Sequence, residues 1–321
     1  IQSTADWASM GPLAAIGKIP KLLTVLFAMV SRFKRERYDL IVFIDFGAFN
    51  LRLAQAARRV GVTTPMMYYF PPAAWLDDAK RAHIVAQTTD ALTAFTHQRD
   101  FYRGLNLPIG YVGHPLVSTV LPRAPRGPAP ADGGRIALLP GSRRGEIDRH
   151  ARRFLDAIAL LREHRPNVDA VFAASDPNAA ALLQEALDER PALPVRIERS
   201  AREVLSGADA AVVASGTAVL EAALLEVPTI AAYVLSDAQA RIARRIYRGA
   251  YITLPNLVLD APIVPEYLQD AATPSALADG LERLLQNPQS QLNEFARLRS
   301  ALGPSDALER CARFALGLIG Q

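Results

Sequence analysis

The chain has 321 residues, half of them hydrophobic and 21% charged, with a formal net charge of +4. That length leaves room for two domains of ordinary size, and the composition excludes a disordered chain. A single cysteine, Cys311, excludes a disulfide framework and any cysteine-based metal site, and the five histidines show no metal-ligand spacing, so neither metal nor cofactor is expected.

Residues 12–37 repeat apolar side chains at helical spacing, at Leu13, Ile16, Leu22, Leu23, Leu26, Phe27 and Val30. Residues 40–44 read as a buried strand ending at Asp45, followed by a helix over 50–60 that Gly61 caps. A second strand over 64–70 is broken by Pro71 and Pro72. A helix over 77–87, a strand over 91–95, a helix over 97–104 and a strand ending at Gly110–Gly113 complete the first half. Residues 121–134, rich in proline and glycine, read as a linker. Strands then follow at 135–139, 168–174, 195–198, 210–215 and 229–234. Helices fall at 146–164, 177–189, 201–206, 217–226 and 236–248, and the tail from 275 to 319 reads as helical throughout. Alternation of this kind predicts parallel, doubly wound sheets: an α/β domain over 1–120, the linker, and a second α/β domain over 135–321 with a helical tail. An α/β domain normally opens with a strand, so a further unit is expected ahead of Ile1.

The basic excess is uneven. Lys18, Lys21, Arg32, Lys34, Arg35 and Arg37 crowd the start, and Arg241, Arg244, Arg245 and Arg248 line a later helix. Anionic partners fit, but no interleaving of basic and aromatic residues suggests nucleic acid. The apolar stretch from Ile19 to Phe33 is shorter than the roughly 20 residues a membrane span needs, and Lys21 interrupts it. Its basic end suits an anionic membrane surface instead.

Two turns carry the chemistry. Leu138-Leu139-Pro140-Gly141-Ser142-Arg143-Arg144-Gly145-Glu146-Ile147 and Ala214-Ser215-Gly216-Thr217-Ala218-Val219-Leu220-Glu221-Ala222 each lead from a buried strand into a helix. A helix N-terminus offers unpaired N–H groups and about half a positive charge, so two such ends make a diphosphate pocket. Ser142, Ser215 and Thr217 add hydroxyls, and Arg143 adds a guanidinium fork. Glu221, one turn past Thr217, is placed to accept from sugar hydroxyls. The pair points to a nucleotide-sugar. Glu146 reads either as a diphosphate-site residue or as a first-turn partner of the helix dipole. Asn256, expected in a loop after a strand, reads either as a turn residue or as a side chain facing the diphosphate. Asp45 ends a strand where open α/β sheets bind ligands, or else caps the next loop. His114, beside Pro115, is a candidate for lining a cleft.

These segments resemble the lipid-A-disaccharide synthase family. The matching stretches run in the family's order: Ile44-Asp45 with Phe49-Asn50, Tyr111 through Leu116, Leu138 through Ile147, Ala214 through Glu221, Leu254 through Leu257, and Val264-Pro265-Glu266 with Gln269. The resemblance implies a GT-B fold, two Rossmann-like domains with a cleft between them. It implies an inverting transfer of diacylglucosamine from UDP to a diacylglucosamine 1-phosphate, with β-1,6 linkage and release of UDP, at the cytoplasmic face of the inner membrane. Asp45 would then be the base for the acceptor hydroxyl. Arg143 would stabilise the departing UDP, with Gly141, Ser142, Glu146, Ser215, Gly216, Thr217, Glu221 and Asn256 around the nucleotide. Gln269 joins His114 as a cleft candidate, and a homo-oligomer is left open. The chain departs from the family pattern at Ala48, where a second acid is expected, and at Asp77 and Asp78, where a Trp and an Arg are expected. The family's N-terminal Gly-Glu-x-Ser-Gly-Asp segment does not occur in the sequence. Two alternatives therefore stay open: a UDP-sugar transferase with another acceptor, and a nucleotide-sugar-binding relative without turnover.

Overall fold

The computed structural model describes residues 19–72, 77–124, 127–214, 216–246 and 249–319. Two compact units result. One comprises residues up to Ser118 together with those from Leu302 onward; the other is Thr119–Ala301.

In the first unit, helix α1 (Ile19–Arg35) precedes the units β1 (Ile41–Ile44), α2 (Gly47–Arg59), β2 (Met66–Tyr69), α3 (Ala79–Thr88), β3 (Asp90–Thr93), α4 (Thr96–Gly104), β4 (Gly110–Tyr111) and α5 (Pro115–Thr119). The strands form one parallel sheet in the order β1-β2-β3-β4. Asp78 lies outside α3 and caps it by accepting from the Arg81 amide at 3.0 Å, which is why the helix begins later than the expected residue 77. Val25, Leu26 and Val30 of α1 pack with Phe43, Leu53, Met66 and Tyr68 into the core. The expected start of α1 at residue 12 lies outside the described residues.

The second unit contains β5 (Gly133–Leu139), α6 (Arg144–His164), β6 (Asn167–Ala173), α7 (Pro177–Asp188), β7 (Val195–Glu198), α8 (Ala201–Ser206), β8 (Ala210–Ala214), α9 (Thr217–Leu224) and β9 (Thr229–Tyr233). It continues with α10 (Asp237–Ile246), α11 (Leu254–Leu259), β10 (Glu266–Leu268), α12 (Pro274–Gln286) and α13 (Gln289–Ala301). Its six parallel strands run β10-β9-β8-β5-β6-β7. Both faces are covered, so strands such as β8, Ala-Ala-Val-Val-Ala, are buried at every position and read as apolar runs without alternation. The chain order reverses between β5 and β8, which pair directly from Ile136↔Ala210 to Leu139↔Val213. That reversal is the topological switch point at which doubly wound sheets bind ligands.

Three expectations need correction. The second domain does not run to residue 321: helix α14 (Ala307–Ile319) returns to the first unit, where Cys311, Phe314 and Leu318 pack with Met67, Tyr69, Leu92 and Val112. The tail is not one helical stretch, because Pro288 separates α12 from α13, and Gly303 (φ +100°) with Pro304 separates α13 from α14. Nor are residues 121–134 a detached linker. The Arg123 guanidinium donates to the Ala208 carbonyl, Arg165 donates to the Pro130 carbonyl at 2.8 Å, and the last two residues of the stretch already belong to β5.

Candidate functional site

The turns after β5 and β8 open onto one cavity of about 440 Å³ at the switch point, lined by Gly141, Ser142, Arg143, Glu146, Gly216 and Thr217 among others. Ser215 lies outside the described residues. Gly141 sits at φ +102°, and a Cβ there would stand 2.5 Å from Oε2 of Glu146. Only glycine allows both the left-handed turn and that approach. Gly216, at φ +153°, opens α9 without a side-chain cap.

The start of α6 is already engaged by an anion. Glu146 Oε2 accepts from the Ser142 amide at 3.2 Å and the Arg143 amide at 3.3 Å. Its Oε1 accepts from Nη1 of Arg143 at 3.2 Å. A carboxylate therefore occupies the position where the amides and helix dipole favour negative charge. Arg143 remains 59% exposed and can reorient.

Sequence reasoning missed Ser175, Arg199, Ala201 and Tyr233, which also line the cavity. Ser175 follows β6 and Arg199 follows β7, so both stand at carboxyl ends of neighbouring strands. That position was their only signal. Tyr233 ends β9, and burial, then the Glu146 charge, push its phenol up, while Arg143 and Arg149 act in the opposite sense.

Other expected residues stand elsewhere. Glu221 pairs with Arg202, at 3.0 Å from Nε and 2.9 Å from Nη2, and Arg202 also donates to the Thr119 carbonyl at 3.2 Å. Asn256 is not in a loop. It lies in α11, 1% exposed, donating to the Val264 carbonyl and Glu266 at 2.8 Å each while accepting from the Val264 amide at 2.8 Å. Those bonds occupy its amide, and the residue ties α11 to β10 and the segment leading into it. Gln269, at φ +52°, accepts from the Leu235 amide at 2.8 Å and so fixes the backbone just beyond β9.

In the first unit, Asp45 is exposed at the end of β1, at φ +46°, with Phe46 beside it at φ +44°. Its carbonyl accepts from Asn50 Nδ2 and from the Tyr68 hydroxyl, each at 2.9 Å, and its amide donates to Tyr69 at 3.2 Å. The turn is fixed while the carboxylate stays at the surface. Burial, then the Asp45 charge, raise the Tyr68 phenol, which stays a donor. His114 is 5% exposed, packed against Phe70 and Phe95, and its Nδ1 accepts from the Leu116 amide at 3.2 Å. Burial pushes its imidazole down to about 4. Asp77, at φ +46°, pairs with His97 at 3.0 Å. Among the described residues no group of three or more His, Cys, Asp or Glu stands together to hold a metal ion, and no helix is long and apolar enough to cross a membrane.

Comparison with known proteins agrees with this architecture. Crystal structures of UDP-N-acetylglucosamine 2-epimerases share the fold. One, a putative enzyme from Listeria monocytogenes, superposes with a TM-score of 0.62 at 12% identity, covering 91% of this chain and 76% of that one. Another, from Neisseria meningitidis and bound to UDP-GlcNAc, gives 0.62 at 12% identity, covering 96% and 84%. A UDP-forming trehalose-phosphate synthase from Burkholderia xenovorans gives 0.53 at 12% identity, covering 97% and 80%. The fold is that of the GT-B glycosyltransferases and epimerases. Lipid-A-disaccharide synthase from Pseudomonas aeruginosa (strain UCBPP-PA14) is 34% identical over 97% of this chain and 83% of its own length. That of Alkalilimnicola ehrlichii is 35% identical over 91% and 80%. The sequence profile of the lipid-A-disaccharide synthetase family matches residues 1–309, and the chain belongs to that family of lipid A glycosyltransferases.

Proposed function

We propose that the protein transfers a diacylglucosamine unit from its UDP ester to a diacylglucosamine 1-phosphate, forming a β-1,6 bond and releasing UDP. The observation that carries this reading is the opening of the β5 and β8 turns onto one cavity at the switch point, with amides, Thr217 and Arg143 around it. The acceptor 6-hydroxyl attacks C1 of the donor sugar and Asp45 takes its proton. The C1–O bond to the diphosphate breaks with its electron pair, and Arg143 and the helix ends stabilise the charge that UDP carries away. Glu221 serves the ribose through its remaining oxygen, the other being held by Arg202. Helix ends and Arg143 take the place of a divalent cation.

A membrane surface is the proposed working place. Helix α1 leaves Leu23 46% and Phe27 67% exposed and ends in Arg32, Lys34 and Arg35, an apolar face beside a basic end. A second reading, transfer to another acceptor, is favoured by one observation. The Asp77–His97 pair puts charge where the family resemblance leads one to expect an aromatic ring.

The test is to incubate full-length protein with UDP-diacylglucosamine and diacylglucosamine 1-phosphate and to look for UDP and the disaccharide by mass spectrometry. Release of UDP only with a different acylated acceptor would select the second reading. UDP should also raise the unfolding midpoint, by an amount corresponding to about 2.7 kcal/mol at a hundredfold excess over its dissociation constant. Glu221→Ala should reduce that gain. A wild-type protein that UDP does not stabilise has no nucleotide seat.

A further inference from the structure

His150 lies on the inner face of α6 and is fully buried, among Ile147, Ala151 and Phe154. At that spacing it is one more core position. Its imidazole nevertheless makes polar contacts on both sides. Nε2 accepts from the Val234 amide at 2.9 Å, which fixes the proton on Nδ1. Nδ1 then donates to the Glu146 carbonyl at 2.8 Å, with the Pro140 carbonyl at 3.2 Å. The ring stacks on Tyr233, centroids 6.0 Å apart and planes 18° from parallel.

These partners belong to or adjoin the cavity lining, and the Val234 contact joins segments 84 residues apart in sequence. Pro140 begins the turn that carries the Ser142 and Arg143 amides. Glu146 closes the first turn of α6. Val234 follows Tyr233, whose ring lines the same cavity. The neighbouring Arg149 donates from Nε to the Val234 carbonyl at 2.8 Å, so both backbone groups of that residue are held by α6. We infer that His150 is a positioning residue of the nucleotide seat: it locks the Pro140–Arg143 turn, the start of α6 and the end of β9 into the arrangement that receives a nucleoside diphosphate. The inference rests on the nucleotide reading of this cavity.

The lock requires the neutral imidazole. A second proton would set an N–H against the Val234 N–H. The charged and titratable groups facing the ring are Glu146 and Arg149 from α6 and Tyr233 from β9. Burial dominates and holds the imidazole below its ordinary value, with the Glu146 and Pro140 carbonyls opposing.

The experiment compares full-length wild type with His150→Phe, which keeps an apolar ring but removes both tethers, and His150→Gln, which keeps one donor and one acceptor. UDP affinity is measured by calorimetry and donor kinetics by turnover. Removing two tethers should weaken UDP binding by about tenfold and raise the donor KM alike, with kcat little changed. His150→Gln should recover part of the loss. A role in packing alone would lower the unliganded unfolding midpoint and leave the folded protein's affinity intact, and that result overturns the inference. Should the variants fail to fold, nitrogen-15 spectra of wild-type imidazoles decide it. UDP should shift the His150 signals while Nε2 stays unprotonated, and signals unmoved at saturating UDP overturn the proposal. Absence of UDP binding to wild type is a different result, which removes the nucleotide reading and this inference together.

Discussion

At the carboxyl ends of β1 and β2 and in the segment beyond, the backbone passes through left-handed conformations at Asp45, Phe46, Phe70 and Asp77, whereas at the ends of β5 and β8 the positive-φ positions are Gly141 and Gly216. A side chain in the left-handed region costs roughly 1–2 kcal/mol, so such residues persist only where their surroundings hold them. In the first unit Asn50 and Tyr68 provide that hold on Asp45. In the second, glycine removes the strain, and main-chain amides at the turn meet the Glu146 carboxylate. The end of β1 is built to present a side chain and the ends of β5 and β8 to present backbone, and the two should respond differently to substitution.

The sharpest way to break this contrast is Asp45→Asn. Shape and turn persist but the base is gone, so turnover should fall by about 10²–10⁴-fold while UDP affinity and the unfolding midpoint stay close to wild type. Near-normal turnover would remove Asp45 from the chemistry. Arg143→Lys, on the other side of the comparison, keeps the charge and loses the bidentate fork. Both turnover and UDP affinity should drop, by about 10-fold or more, as steady-state kinetics and calorimetry would read out.

Acid should act on the first unit through His114. His114 is held neutral at about 4 in the folded chain, against roughly 6.5 when unfolded. Its contribution is complete above the unfolded value and is lost as pH falls through the window between the two, in all roughly 3 kcal/mol. Unfolding midpoints taken across that window should decline, and His114→Asn should flatten the decline. An equally steep decline in the variant would assign the acid sensitivity elsewhere. Gly141→Ala must meet Glu146 Oε2 and adopt φ +102°. It should cost about 1–3 kcal/mol of stability, together with UDP affinity, whereas an Ala at an exposed surface glycine should cost far less. The smallest expected effect is that of EDTA, which should leave turnover unchanged if helix ends and Arg143 alone carry the diphosphate. Activity that disappears and returns with Mg²⁺ would replace that account.

The glycine turns and the buried parallel strands were legible because their signals are local. Gly141 and Gly216 follow apolar runs: β8 is apolar throughout, and β5 and β6 are apolar beyond Arg135 and Asp169. Asp45 was legible as a polar residue closing such a run. What remained hidden depends on pairings between elements, which no local period shows. The buried role of Asn256 is set by Glu266 and Val264, and the engagement of Glu221 by Arg202. His150 was masked by the apolar period of its own helix. Helix α11 and strand β10 are too short, at six and three residues, to show a period. The return of α14 to the first unit has no local signature, since an amphipathic helix does not encode which sheet it covers.

Under the proposed nucleotide reading, the carboxylate resting on the amides of Ser142 and Arg143 would turn the seat into a competition. Any incoming phosphate must first evict a neighbour whose effective concentration is fixed by the helix that carries it. The measured dissociation constant is then the intrinsic one divided by the fraction of time Glu146 is away. At about 1% vacancy, that is a hundredfold handicap applied equally to every anion. Inorganic phosphate, with no second foothold, has nothing to set against it. A diphosphate joined to a ribose and a base gains elsewhere in the cavity what it loses at the turn. Selectivity would thus arise from a residue that binds no ligand at all, and Glu146→Gln should narrow the gap in affinity between UDP and orthophosphate by strengthening the weaker of the two.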